Sequence, residues 1–116
     1  MRTSDKKINS VLKSQITKTF VRAICDFKTP EELEKFLKDF FTDAESETFV
    51  KRLAIAYWLK KGRSYANIRD NLKVSSATIS SVQNMMDSVG IKLALKNIEA
   101  EEWANQWAEK IKKFIK

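Results

Sequence analysis

The sequence predicts an all-α protein of about six helices. Only two glycines and one proline occur in 116 residues, which favours long helices with short connections over a sheet with many turns. Apolar residues recur every three or four positions through most of the chain, and this is the spacing of one face of an α-helix. No stretch has the alternating pattern of a strand convincingly enough to predict one. A single domain over residues 1–116 is the default for a chain of this length.

The first predicted helix runs from about Ile8 to Phe27. Its apolar face is long, and a helix with such a face must bury it against another surface. The residues of that face are Ile8, Leu12, Ile16, Phe20, Ile24 and Phe27.

Two capping boxes mark the next two helices. Thr29 and Thr42 each precede a glutamate by three residues, and this pairing satisfies backbone donors at a helix start. The second helix is therefore predicted over 30–41 and the third over 43–61, where Gly62 provides a stop. Because apolar residues lie on more than one face of the third helix, we expect it to be central and to have several neighbours.

Residues 64–89 predict a helix-turn-helix, which is two short helices joined by a tight turn. Ser64 is the expected cap of the first helix, and Ser75 or Ser76 caps the second, which would end by about Val89. The outward positions of the second helix are small and polar, which suits close approach to the DNA major groove. An ordinary helical corner with a solvated serine-rich face is the alternative. Five apolar residues have the spacing that fills the wedge between the two helices: Ile68, Leu72, Val74, Ile79 and Val82.

The last helix is predicted over 98–115, with Asn97 as its cap. The segment 90–97 is left open between a helical extension and an irregular link. Two tryptophans one turn apart on the last helix more often belong to a core or a dimer interface than to a ligand cage. Their stripe consists of Trp103, Trp107, Ile111 and Phe114.

The composition excludes several kinds of active site. The chain has no histidine and a single cysteine, Cys25, so histidine-based catalysis and the usual zinc sites are excluded. No glycine-rich phosphate loop occurs. We therefore expect a protein that is not an enzyme and has no metal or other cofactor. The lone cysteine fits a reducing cytoplasm, and the lack of a run of about 18 apolar residues predicts no membrane span.

The net charge of +7 is unevenly distributed along the chain. Residues 51–82, which include most of the helix-turn-helix, carry seven lysines or arginines and one aspartate. Residues 31–50 carry two basic and seven acidic residues. Many basic proteins bind no polyanion, but the coincidence of positive charge with the motif favours attraction to a phosphate backbone.

From Thr29 to Met85 the sequence resembles the Trp repressor superfamily, in particular its shorter YerC/YecD-like branch. The resemblance depends on the two capping boxes, a helix that ends in LKKG, and the run SSATIS that opens the second motif helix. It implies an all-helical, intertwined homodimer whose N-terminal helix, over 8–27, and C-terminal helix wrap around the partner. It also implies a transcriptional repressor that binds double-stranded DNA and reads the major groove with helix 76–88.

The resemblance and the charge pattern together assign the DNA-contacting residues. Lys73 stands where the family usually has a glycine, which predicts a left-handed turn residue at a cost of about 1 kcal/mol. A serine-rich reading helix offers few bidentate contacts, so specificity would depend partly on DNA shape and bridging water. The expected base contacts are Ser75, Ser76, Ala77, Thr78 and Ser80. The expected phosphate contacts are Lys60, Lys61, Arg63, Arg69 and Lys73.

The tryptophan pocket of the family carries over only in part. Thr42 and Arg52 match two of its positions, but Ser81 stands where the tryptophan-binding member has an arginine, and Met85 replaces a serine. Val82 replaces a glycine and would fill space that the indole ring needs. The four positions Thr42, Arg52, Ser81 and Met85 would thus form a remnant effector pocket. We predict that free tryptophan is not the corepressor, and whether another small molecule binds is left open.

The sequence allows two functions other than DNA-dependent regulation. The chain could be a helical protein–protein interaction module without DNA binding, with the tryptophan stripe as the contact surface. Binding to random duplex DNA at low salt would distinguish the two. A binder of single-stranded nucleic acid is disfavoured because the basic residues are not interleaved with exposed aromatic ones.

Overall fold

The computed structural model describes residues 6–114, apart from the side chains of Trp107, Lys113 and Phe114. No strand occurs in this part of the chain, so the all-α prediction is confirmed. None of the described helices is both long and apolar enough to cross a membrane. The six helices are α1 (Ser10–Cys25), α2 (Pro30–Phe40), α3 (Asp43–Lys60), α4 (Tyr65–Leu72), α5 (Ser76–Gln83) and α6 (Val89–Phe114).

The chain divides into two compact units, one up to Ser46 and one from Glu47 onward. Each unit is described separately below. The expectation of one domain over 1–116 stays a prediction.

Helix starts in the first unit are fixed by side chains that accept backbone N–H groups. The predicted capping box at Thr42 is present in both directions, since Thr42 N–H donates to Glu45 Oε1 at 3.0 Å and Glu45 N–H donates to Thr42 Oγ1 at 3.1 Å. At Thr29 the hydroxyl accepts the N–H of Glu32 at 3.2 Å. The first helix is shorter than the predicted span of 8–27, because the side chain of Asn9 caps it by accepting the N–H of Leu12.

A phenylalanine cluster packs the first unit and includes Phe20 of α1, whose ring centroid lies 5.9 Å from that of Phe40. Phe36 lies 5.0 Å from Phe40 and 5.2 Å from Phe27, measured between ring centroids. No residue of α1 is buried. Within the first unit, much of the predicted stripe is therefore exposed. Four of its residues and two neighbouring valines are between 39% and 66% exposed: Ile8, Leu12, Ile16 and Phe20, with Val11 and Val21.

The core of the second unit lies where α3, the helix-turn-helix and the start of α6 meet. Ile68, Ile79 and Val82 are buried, and the half-buried Leu72 and Val74 pack against them, so the five predicted wedge residues are all in place. Ile55 and Ala56 of α3 and Leu95 of α6 complete this core. Burying one large aliphatic side chain is worth about 1.5–3 kcal/mol, so these residues fix the angle of the corner.

Two predicted boundaries after the corner are wrong. The reading helix ends at Gln83 rather than at 88, because tight i→i−3 bonds follow it, from Met85 N–H to Val82 O at 3.0 Å and from Met86 N–H to Gln83 O at 3.2 Å. The last helix begins at Val89 rather than at 98. Asn97 is therefore not a cap but lies inside α6.

The early start of α6 follows from burial. Ile91, Leu95 and Ile98 are four and three positions apart, and all three belong to or pack against the core. Residues 90–97 are therefore a helical extension and not an irregular link, and Gly90 lies in the first turn of α6 with open space around it. Trp103 of the predicted stripe is 62% exposed. The Trp107 and Phe114 side chains and the predicted end at 115 lie outside the described residues.

Candidate DNA interface

The corner between α4 and α5 is built by two serine caps and one left-handed residue. Ser64 Oγ accepts the N–H of Asn67 and Ser75 Oγ accepts the N–H of Thr78, both at 3.1 Å. Between the helices, Lys73 has φ 56° and ψ 53°, and its N–H donates to Arg69 O at 3.0 Å. A residue in this region reverses the chain at once, so the left-handed turn predicted for Lys73 is confirmed.

The exposed face of α5 is small and polar. Ser75 and Thr78 are linked to each other, with their hydroxyl oxygens 2.9 Å apart. The residues predicted to face DNA bases are all exposed, and so is Ser81 of the predicted remnant pocket. Because Ile79 and Val82 point into the core, the serines project away from it. The exposed set is Ser75, Ser76, Ala77, Thr78, Ser80 and Ser81.

Arg69 connects the two helices of the corner. Its Nη1 donates to Ser76 Oγ at 3.2 Å, and its Nε lies 3.7 Å from Asp70 Oδ1. The guanidinium therefore lies beside the first residue of α5. A positive charge at this place adds to the partial positive charge of the helix N-terminus.

Arg63 follows the end of α3 and has a defined position. Its Cζ lies 4.0 Å from the centroid of the Trp58 ring, and its Nη1 donates to Asn67 Oδ1 at 3.3 Å. The residue thus connects the last turn of α3 to the first turn of α4.

Besides Arg69 with Asp70, two of the predicted phosphate contacts have carboxylate partners on α6. Lys60 Nζ lies 3.2 Å from Glu99 Oε1, and Lys61 Nζ lies 3.7 Å from Glu102 Oε2. Tyr57 donates its hydroxyl proton to Glu102, and this hydrogen bond raises the pKa of the Tyr57 phenol above its usual value of 10. The end of α3 is therefore less electropositive than its two adjacent lysines suggest.

The predicted remnant pocket residues lie on different parts of the chain, and the pocket itself stays a prediction. Thr42 is the capping residue of α3 in the first unit. In the second unit, Arg52 Cζ lies 5.5 Å from the Phe49 ring centroid, Met85 packs against the core, and Val82 is buried in it. That free tryptophan is not the corepressor stays a prediction. In the described part of the chain, no three His, Cys, Asp or Glu side chains gather as a metal site would require.

Three residues of this surface were missed by sequence reasoning. Trp58 stands five positions before Arg63, which is the spacing of the contact that commonly closes a helix ending in glycine. Glu99 and Glu102 are three positions apart on one helix face. Their pairing with α3 could not be derived while the register of 90–97 was open.

Comparison with known proteins gives one match. Residues 15–97 match the model of the family described as Trp repressor protein. The matched range is more than half of the chain and contains the whole α4–α5 corner. Neither a curated protein nor a solved structure matches the chain.

Proposed function

The chain belongs to the Trp repressor family, and from that premise we propose that it is a sequence-specific repressor that binds double-stranded DNA. The observation that carries the proposal is the exposed, small and polar start of α5, set beside Arg69 on a corner with a buried apolar core. In helix-turn-helix proteins the N-terminal residues of the second helix contact base edges in the major groove.

Base contacts would come from the first turns of α5, from Ser76, Ala77 and Ser80. Ser75 and Thr78 share a hydrogen bond and are placed to accept or donate a further one at the groove edge. Short hydroxyl side chains let the backbone approach the bases, but each makes few bonds. DNA deformability and ordered water would then supply part of the specificity.

Phosphate contacts would come mainly from Arg63, Arg69 and Lys73, which surround the corner. Lys60 and Lys61 would contribute less, because each would have to leave its carboxylate on α6. Each phosphate neutralised by a basic side chain adds about 0.9 to the slope of log affinity against log salt concentration. The number of working contacts is thus measurable.

The proposed repressor is a homodimer of the YerC/YecD-like branch, acting in the cytoplasm. The apolar face of α1, from Ile8 to Val21, is the surface that a second copy would cover. A two-fold dimer would present two α5 helices to half-sites about one DNA turn apart. Ser81, Val82 and Met85 differ from the residues of the tryptophan-binding member at these positions. This difference supports a regulator that does not respond to tryptophan.

The test is DNA binding against salt concentration. Wild-type protein should bind random duplex DNA at low salt and select a preferred sequence from a random pool. The double variant Arg69→Ala/Lys73→Ala should lower the salt slope by about 1.8 per protomer. The matched control Lys35→Ala/Lys38→Ala removes the same charge from the exposed side chains of α2 and should leave the slope unchanged.

Two outcomes would contradict the proposal. Absence of any binding to random duplex DNA at low salt would favour an interaction module. An equal loss of slope in both double variants would mean that net charge, rather than the corner, attracts the DNA.

A further inference from the structure

We propose that Trp58 is a positioning residue for DNA binding, because its indole ring holds the Arg63 guanidinium in the orientation that meets a phosphate. The inference rests on the proposed function, in which Arg63 is a phosphate contact. Trp58 belongs to the core-facing part of α3, and its effect on DNA binding would be indirect, through Arg63 and without contact with DNA.

The backbone at the end of α3 brings the two side chains together. Gly62 has φ 83°, a left-handed conformation that a glycine adopts without a steric penalty. Its N–H donates to Leu59 O at 3.0 Å, and the N–H of Arg63 donates to Trp58 O at 3.1 Å. This pair of bonds is the Schellman motif, in which the residue after the glycine commonly makes an apolar contact with the residue five positions earlier. Here the flat guanidinium of Arg63 takes that place over the indole.

The guanidinium is held on a second side as well. Its Nη1 donates to Asn67 Oδ1 at 3.3 Å. The backbone of Asn67 is held at the start of α4, because its N–H donates to Ser64 Oγ at 3.1 Å and its main-chain carbonyl accepts from Asn71 Nδ2 at 2.8 Å. An arginine has five N–H donors, so donors remain for the two oxygens of a phosphate.

The support under Arg63 is rigid because Trp58 is half-buried and packs against the core. An arginine that is free in solution must be ordered before it can bind a phosphate, and this ordering weakens binding. Because the indole already holds the guanidinium in place, less conformational freedom of Arg63 is lost when it binds a phosphate. We expect an effect of about two- to fivefold in affinity per protomer.

A double-mutant cycle tests the proposal. Trp58→Leu should weaken duplex DNA binding about two- to fivefold while leaving the salt slope unchanged, since no charge is lost. Arg63→Ala should weaken binding and lower the slope by about 0.9. In the Arg63→Ala background, Trp58→Leu should have no further effect on affinity.

Two further variants separate positioning from general damage to the fold. Trp58→Phe keeps an aromatic face and should therefore bind DNA more tightly than Trp58→Leu. If a thermal unfolding scan shows that Trp58→Leu is not folded, Trp58→Phe replaces it in the double-mutant cycle. Arg63→Lys keeps the charge but loses the planar stack, so it should bind as weakly as Trp58→Leu with the wild-type slope.

The outcomes distinguish the two proposals. If the wild-type protein binds DNA but Trp58→Leu weakens binding equally in the wild-type and in the Arg63→Ala background, Trp58 has only a structural role and the inference is wrong. The inference is also wrong if neither Trp58 variant changes affinity. If the wild-type protein does not bind duplex DNA, the proposed function fails and the positioning role fails with it.

Discussion

Replacing Lys73 by glycine should stabilise the protein although it removes a proposed DNA contact. Lys73 has φ 56° and ψ 53°, and its side chain is exposed. An L-residue in this conformation costs about 1–2 kcal/mol relative to the right-handed region. Glycine avoids this cost but loses about 0.5–1 kcal/mol through the greater freedom of its unfolded chain. The expected net gain is therefore about 0.5–1 kcal/mol.

The matched control is Lys73→Ala, which removes the same charge and keeps the backbone strain. The glycine variant should unfold about 2–4 °C above the alanine variant in a thermal scan monitored by circular dichroism. All variants must be compared at one protein concentration, because association would shift the midpoint by mass action. In a DNA titration, the slope of log affinity against log salt concentration should be lower by about 0.9 in both variants.

The reasoning would be refuted if the alanine variant were as stable as the glycine variant. That result would mean that Lys73 does not hold the left-handed conformation in solution. Unequal salt slopes in the two variants would show instead that glycine alters the corner itself and not only its stability.

Three other predictions follow from the same surfaces. Glu99→Gln/Glu102→Gln should free Lys60 and Lys61 and make the salt slope for random duplex DNA steeper, by up to about 0.9 for each lysine; an unchanged slope would mean that these lysines face away from DNA. Hydrogen bonds from Thr42 lower the pKa of Glu45 below its usual 4.5, so the stability that this carboxylate contributes is present above pH 4.5 and disappears as the pH falls through the lower, folded-state pKa. Thermal midpoints measured across this range should therefore converge for the wild type and Glu45→Gln at low pH, and a constant gap would contradict the coupling. Calorimetric titration with L-tryptophan should show no micromolar binding, and a saturable signal in that range would restore the tryptophan pocket.

Local signals in the sequence predicted much of the fold. The capping residues Thr29 and Thr42 act within one helical turn of their partners, so they could be identified without knowing the fold. The same holds for Gly62, whose left-handed conformation ends α3. The five wedge residues were also predictable, because their spacing over a short stretch already implies one packed corner.

The start of α6, after the helix-turn-helix, could not be predicted from local signals. Gly90 and Asn97 are both good local signals for a helix boundary, yet both lie inside α6. Burial of Leu95 and its neighbours on the core outweighs the cost of about 1 kcal/mol for a glycine in a helix. This packing depends on α3 and α5, which a local pattern does not contain.

The charge partners of Lys60 and Lys61 could not be predicted without the position of α6. In the sequence, Lys60 and Lys61 are two adjacent positive charges, and only the position of α6 shows Glu99 and Glu102 beside them. The stack of Arg63 on Trp58 was predictable in part. The glycine that ends α3 indicates a contact between these two positions, but only the structure shows the guanidinium over the ring.

The shortness of α5 limits how much one protomer can recognise. Its eight residues span about 12 Å, which corresponds to about three or four base pairs at about 3.4 Å each. A word of that length recurs throughout a chromosome that offers about 10⁶–10⁹ competing positions. In the proposed DNA complex, a single copy would therefore be distributed over many sites, and the second α5 of the proposed dimer would supply the additional base pairs that select one of them.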